Sequence, residues 1–473
     1  MCRVDSLTNA VTCLYNNLRL EIQYFVLSLQ SAGIKEGLFC SLNAIHMQRY
    51  EKFPSAGKNF YDYIKNNSKA DPKQLYLSAK GKNLGFPAEF AVTQIECRQK
   101  TARKLSAFLN RSEFLFPSTL AAEQSTHQCV ASYHALIAGT GKTIADMTAG
   151  LGIDAFSFAR GGNMVTAVEL DHMRAEILKH NSEVLELHNV DVVEADCLKW
   201  MRSKKSGVFD ILFIDPARRG SDSRRTYLFR DCLPDIVSNM AELRSFAPVM
   251  MVKASPILDI SGIVREIDGV TSIHIACVRG ECKESLIILD GSRPAGNPEI
   301  VTVDLEADDN AGVLIRSIWK TAFADLGGDC ALADLQDLRE GMFLYDPNAA
   351  VHKLNCQSAL CKDFPDLKRL SANTDLYCSH VRYDSFPGRI FSISGILDKK
   401  SARSIQGSRC EVAVRNFPLT AEQLRKKLHV CSGDDSYIYG CSVGVRPKPV
   451  MLRCQRLQSG VGKPQTNLVR NLL

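Results

Sequence analysis

Four acids close four apolar runs in the middle of the chain: Asp146 ends TIAD, Glu169 ends NMVTAVE, Asp196 ends VDVVEAD and Asp215 ends FDILFID. A carboxylate at the end of a strand can accept hydrogen bonds from ribose hydroxyls, hold an acceptor group, or cap the next helix. A single such acid is ordinarily a cap. Four in series point to one ligand crevice, because in an open parallel sheet the cleft lies beyond the carboxyl ends of the strands. A turn of small residues, Thr148 to Gly152, follows the first acid, and Asp154 opens the next segment. Side chains at Gly150 and Gly152 would keep a ligand from touching the backbone, and glycine removes that obstacle. Glu169 stands 23 residues beyond Asp146, near the ~20-residue interval at which a carboxylate meets ribose in dinucleotide-type folds.

The pattern around these groups gives the elements that must hold them. The run 143–147, the glycine turn and a helical segment from Asp154 to Ala159 form a strand, turn and helix, the first unit of a nucleotide-type α/β sheet. Further strands are expected at 163–169, 190–196, 209–215 and 247–253, with a helix from Asp171 to Leu187. SIHIACV and SLIILD flank the link 279–284, which is too short for a parallel crossover, so an antiparallel hairpin closes the sheet. Residues 118–137 read as one helix capped by Ser118 or Thr119. GTGKT at 139–143 looks like the end of a phosphate loop, but Leu136 occupies the first glycine position and the motif precedes its strand. That reading is rejected. From Gln94 to Asn110 the pattern is helical, with Arg98, Lys100, Arg103 and Lys104 against the single acid Glu96. A solvated face and a backbone-phosphate contact are both open there. Residues 293–312 read as a linker with one strand, IVTVDL, and helices are expected at 311–324 and 330–339.

A chain of 473 residues is long for one domain, so two to four are expected. Its 45% apolar and 23% charged content is ordinary for a soluble globular protein. No uninterrupted apolar run reaches the ~18–20 residues of a membrane span, and MCRVDSLTN lacks the pattern of a secretory signal. A cytoplasmic protein without a membrane partner is expected. The 17 cysteines include no CxxC pair, and the C-x4-C spacings Cys277/Cys282 and Cys356/Cys361 lack partner pairs. Reduced thiols and no metal are therefore expected. Net charge is +6, yet residues 399–456 alone hold 12 Lys/Arg against 4 Asp/Glu, a net +8. A small basic α+β module beside a catalytic-looking domain suits a nucleic acid; the alternative is a merely soluble surface.

DMTAGLGID, AVELD, EAD, FIDPARRG and KASPILDI resemble, in order, the motifs of class I S-adenosyl-L-methionine (SAM) methyltransferases. Together with AAEQSTHQCVASYHA, GECKESL, FLYDPNAAVHK, FPGR and RNFPL, they resemble a bacterial methyltransferase group with a ferredoxin-like insert and a THUMP-like C-terminal domain. The resemblance covers roughly residues 55–457. It implies a Rossmann-like seven-stranded α/β sheet, mostly parallel with an antiparallel last strand, an N-terminal helical region and an α+β C-terminal module. The implied division is an extension or misplaced start at 1–54, a helical region at 55–117 and a SAM-dependent domain at 118–292. A linker with helices at 293–340, a ferredoxin-like unit at 341–386, a THUMP-like domain at 387–457 and a tail at 458–473 complete it.

By the same resemblance Asp146, Gly150 and Gly152 surround the methionine part of SAM, Glu169 accepts the ribose hydroxyls, Asp196 faces the adenine, and Thr148 and Asp154 also bind the cofactor. Glu123 and Gln124 close the pocket. Asp215, Pro216 and Arg218 are the catalytic residues, with Asp215-Pro216 placed to hold the acceptor, and Arg219, Lys253, Ser255, Glu281, Lys283 and Glu284 bind the substrate. Ala217 and Arg218 depart from the (D/N)PP-aromatic motif of amine methyltransferases, and Ala254 stands where uridine-carbon enzymes carry a nucleophilic cysteine. Methylation of a structured tRNA or rRNA is expected, with Arg218, Arg219, Arg224 and Arg225 helping the C-terminal module to hold it. Two other readings are an NAD-type enzyme, from Gly150-x-Gly152-x-x-Ala155 with Glu169, and an RNA-binding protein with a vestigial methyltransferase fold.

Overall fold

A computed structural model describes residues 57–218, 229–256, 259–294, 296–307, 313–433 and 436–457. The expected extension at 1–54, the tail, and Arg219, Arg224 and Arg225 lie outside the described residues.

Short apolar runs build one end of a mixed α/β sheet: β1 (Thr143–Asp146), β2 (Met164–Glu169) and β4 (Ile211–Ile214), largely buried, and the partly exposed edge strand β3 (Val190–Glu194). A two-residue ribbon follows, β5 (Ala217–Arg218) against β6 (Cys232–Leu233). The sheet then takes in β7 (Val249–Ala254), β8 (Ser272–Val278), β9 (Glu281–Asp290), β10 (Glu299–Ala307) and β11 (Val313–Ala322). Its order is β11-β10-β8-β9-β7-β4-β1-β2-β3. The run from β3 to β7 is parallel, and β9 lies antiparallel between β7 and β8. The closing hairpin is thus present, with Ala254 opposite Ser285. All four expected acids stand at or just beyond the carboxyl ends of β1 to β4.

Three expected elements differ. Residues 313–322 form β11 and not a helix, pairing antiparallel with β10, and 330–339 contains only the 3-10 turn Leu335–Asp337. The helix expected over 118–137 is two helices, Thr119–Gln124 and Gln128–Ala138, parted at Ser125 to His127. Ser118 caps the first, its hydroxyl accepting from Ala121 N at 3.1 Å. The basic helical stretch is helix Ala88–Thr101 followed by the single turn Ser106–Leu109.

Two buried amides fasten the loop at 115–116 to the N-terminal helix Ala88–Thr101 on one side and to the helix His172–Val184 on the other. Gln94 exchanges hydrogen bonds with the backbone of Phe116 at 2.8 and 2.9 Å, and Asn181 does the same with Leu115.

A second sheet holds β12 (Phe343–Pro347), β13 (Lys368–Ser371), β14 (Thr374–Ser379), β15 (Gly388–Ile396), β16 (Glu411–Arg415), β17 (Ser436–Val443) and β18 (Lys448–Leu457). Its order, β13-β14-β12-β15-β18-β17-β16, makes one continuous sheet of residues 343–457. Asp346 on β12 is 1% exposed, and four side chains surround it: Arg389, Arg415 at 3.3 Å, Tyr439 Oη at 3.0 Å and His352 at 3.5 Å. Burial alone would raise its carboxyl, but His352 and the two guanidinium groups bring it down to about 2.

The two sheets share one apolar core, in which Met250, Ile300 and Trp319 pack with Tyr345, Val351 and Phe364. Trp319 Nε1 also donates to Asp363 at 2.8 Å. Cys330 and Cys361 form a disulfide, against the expectation of reduced thiols throughout. No helix among the described residues is long and apolar enough to cross a membrane.

Candidate active site

The turn after β1 is held by carboxylates from within and beside it. Asp146, 1% exposed, accepts from Thr148 N at 3.1 Å, and burial next to Asp154 pushes its carboxyl well above the usual range. Glu169 accepts from Gly150 N and from Asp171 N, both at 2.9 Å, so the end of β2 is strapped to the glycine turn. The two glycines have different tasks. Gly150 has φ +56°, and a Cβ there would meet nothing nearer than Thr148 O at 3.9 Å, leaving open space for a ligand. Gly152 has φ +86°, and its Cβ would strike Leu178 and Phe156. Its clearance serves the packing of helix Ile153–Arg160, for which it is the N-cap.

Asp215, just beyond β4, is tied to the same turn: its backbone N donates to Thr148 Oγ1 at 2.7 Å. Its side chain is 45% exposed and meets Lys253 Nζ at 2.6 Å. Lys253, near the end of β7, is buried and also donates to Thr126 Oγ1 at 2.8 Å. Asp154 and Glu284 each lie 3.7 Å from the same ammonium. Behind them is His134, with Nδ1 at 2.8 Å from Asp154. Its Nε2 is 2.6 Å from Glu284 Oε1 but off the hydrogen-bonding direction.

Two cationic side chains therefore lie among three carboxyl groups, and their protonation follows from the placement. Burial works against the Lys253 ammonium, yet Asp215, Glu284 and Asp154 raise its pKa well above that of an ordinary lysine. Burial also opposes the imidazolium of His134, but Glu284 and Asp154 hold it up to about 9. Lys253 and His134 in turn keep the Asp154 carboxyl below its usual range despite its burial.

The structure thus brings together Asp146, Thr148, Gly150, Gly152, Asp154, Glu169, Asp215, Lys253 and Glu284. Asp154 is shared among Thr126, His134 and Lys253 beneath the turn. Asp196 lies past β3 and caps helix Cys197–Arg202, accepting from Lys199 N at 3.0 Å. Glu123 is exposed and paired with Lys100 at 2.7 Å, and Gln124 is exposed at the end of the same short helix. Glu281 and Lys283 pair with each other at 2.6 Å where β9 begins. Pro216 and Ser255 are partly buried beyond β4 and β7, and the Arg218 backbone lies in β5. Lys104 donates to Glu123 O at 2.7 Å and Arg98 to Ser112 O at 2.6 Å, so these cations serve the fold.

Thr126 and His134 were not among the expected site residues. Both stand in AAEQSTHQCVASYHA, and the signal was a histidine within the apolar stretch 129–138. Its charged partners come from distant parts of the chain.

Comparison with known proteins agrees with this fold. A family model described as "Conserved hypothetical protein 95" matches residues 102–225, a "ferredoxin-like domain" matches 343–387 and a "THUMP domain-like" model matches 388–456. The solved structure of a "putative methyltransferase from Porphyromonas gingivalis W83" superposes with a TM-score of 0.70 at 23% identity, covering 84% of this chain and 98% of that one. This chain is a methyltransferase-fold protein with ferredoxin-like and THUMP-like parts. The charged cluster just described is built from strands β7 and β9 of that sheet, the helices Gln128–Ala138 and Ile153–Arg160 beside it, and the loop after β4. The ribosomal RNA small subunit methyltransferase D of Buchnera aphidicola is 33% identical over 66 residues. That match spans 34% of the relative's length and 14% of this chain.

Proposed function

We propose that the protein transfers the methyl group of SAM to RNA. The observation that carries the proposal is the linkage of two half-sites through one turn. Glu169 is strapped to Gly150, and Asp215 is strapped to Thr148. A cofactor over the turn would have its ribose beside Glu169 and its methionine part near Asp146 and Gly150, with the methyl group toward Asp215. Asp196 would face the adenine, and Glu123 and Gln124 would border the opening. Methyl transfer from a sulfonium is an in-line displacement, so alignment of acceptor and methyl is the protein's main task. A rigid turn shared by both half-sites suits that task.

The NAD alternative is weaker. A pyrophosphate needs free backbone N–H groups at the glycine turn, and here the Gly150 N–H is taken by a carboxylate that would repel it.

RNA is supported by charge and by likeness. Exposed Lys427, Arg446, Lys448, Arg453 and Arg456 lie in the THUMP-like segment, where positive charge is concentrated. The relative from Buchnera is named for ribosomal RNA. Nucleoside mass spectrometry of RNA from a strain lacking the gene, against its parent, tests the proposal. One methylated nucleoside should vanish and return when the gene is restored; identical profiles would contradict it.

A further inference from the structure

Three motifs that the candidate active site leaves unused, FLYDPNAAVHK, FPGR and RNFPL, meet in the second sheet. We propose that Arg389 and Arg415, held side by side by Asp346, form a subsite for a phosphate group of RNA at the junction of the ferredoxin-like and THUMP-like parts. The inference rests on the proposed action on RNA and names one place where that RNA is held.

The sheet builds the subsite by curling. Asp346 on β12 stands directly opposite Arg389 on β15. Gly388 allows that close approach, since a Cβ there would strike the backbone of Asp346 and Pro347. Arg415 ends β16, at the far edge of the same sheet. The two edges are drawn together where Gly444 N donates to Leu370 O at 2.8 Å and Asn416 Nδ2 to Thr374 Oγ1 at 3.3 Å. Arg415 thereby reaches the same carboxyl oxygen, Oδ2, that Arg389 holds.

Charge and open donors point to an anion. The Asp346 carboxyl, brought down to about 2, is ionised, and it also accepts from Tyr439 at 3.0 Å. Tyr439 and one arginine would satisfy it, so the second arginine exceeds what the buried acid needs. One carboxylate offsets one guanidinium and leaves the other in surplus. The neighbouring Arg369 is taken by Asp375 and does not change this balance. Arg389 spends one Nη2 N–H on Asp346, while Arg415 spends Nη2 there and Nη1 on Val414 O at 3.2 Å. The remaining donors belong to side chains that are 39% and 38% exposed. The rings of Phe391 and Tyr437, 5.7 and 5.9 Å from the Arg389 guanidinium, help to fix its plane. Two pre-set guanidinium groups with free N–H groups match the oxygens of a phosphate.

The test is filter binding of the full chain to in vitro transcribed transfer and ribosomal RNA over a range of salt. Arg415→Gln leaves Arg389 and Tyr439 on Asp346. Its RNA affinity should fall about 10-fold, and the slope of log affinity against log salt should lessen by about 0.7–0.9, the share of one phosphate. SAM affinity should not change. Arg415→Lys keeps the charge but loses the fork, so it should keep the slope and bind RNA more weakly than wild type. RNA stripped of its 5′ phosphates identifies the source: equal binding assigns an internal phosphodiester, and a loss matching that of Arg415→Gln assigns the terminal group. Wild-type RNA affinity in a folded Arg415→Gln chain, even with a lowered melting temperature, would overturn the subsite and leave RNA methylation standing. If that variant does not fold, wild-type affinity in Arg415→Lys overturns it instead. No RNA binding by the wild-type chain at any salt would overturn both.

Discussion

Glu169 accepts the backbone N–H of Gly150 at 2.9 Å, so the acid at the end of β2 fixes the glycine turn after β1. Glu169→Ala removes both the acceptor proposed for the ribose and the strap on the turn. SAM affinity should fall by about 1.5–3 kcal/mol, the cost of losing hydrogen bonds to a charged group. Glu169→Gln keeps one acceptor oxygen and should lose less. Calorimetry on both variants, with circular dichroism as a check on folding, measures the difference. Equal SAM affinity in wild type and a folded Glu169→Ala variant would remove Glu169 from the pocket.

Asp215 is 45% exposed and is proposed for the acceptor side. Asp215→Ala should lower kcat on the order of 100-fold with little change in SAM affinity. Single-turnover kinetics with a parallel SAM titration separates the two quantities. Loss of SAM binding with an unchanged maximal rate would place the residue on the wrong side of the site.

RNA binding is better tested by charge than by truncation. Ending the chain near residue 340 would strip Tyr345, Val351 and Phe364 from the core they share with Met250, Ile300 and Trp319. The large apolar surface then exposed would favour aggregation. Replacing Lys427, Arg446, Arg453 and Arg456 by Glu leaves that core alone. RNA retention on filters should fall, and its dependence on salt should flatten as phosphate contacts are lost. SAM affinity should stay as it was. Unchanged RNA retention would leave the basic surface with a solubility role only.

His134 makes stability depend on alkaline pH. Its folded pKa of about 9 lies above the ordinary 6.5, so the stabilisation is complete below 6.5 and is lost as pH rises through 9. The facing groups are Asp154 and Glu284, with Lys253 on the far side of both. Lys104 acts in the opposite sense: burial, helped by Lys253 and Lys283, lowers it to about 8. The comparison must therefore be made against His134→Gln. Wild type should lose on the order of 2–3 kcal/mol more than the variant between pH 6.5 and 9.5 in urea melts. Parallel curves would show that His134 does not titrate in this window.

Much of the candidate site's edge was legible because its strands are short apolar runs ending in acids, and for β1 and β4 burial on both faces leaves such runs few alternatives. The hairpin was legible from the length of its link. β11 was not, because Leu314, Ile315, Ile318 and Trp319 fall at helical intervals, and only pairing with β10 makes the segment a strand. Asp196 looked like the end of a strand but caps a helix, a distinction that depends on the Lys199 N–H. His134 and Thr126 take their meaning from Asp154, Lys253 and Glu284. No local pattern records contacts that long-range folding creates.

The most direct test of the central claim is a calorimetric titration of the full chain with SAM, and in parallel with NAD. One saturable site per chain for SAM and no heat of binding for NAD is the expected result. A folded chain that fails to bind SAM, or that binds NAD in its place, would contradict it.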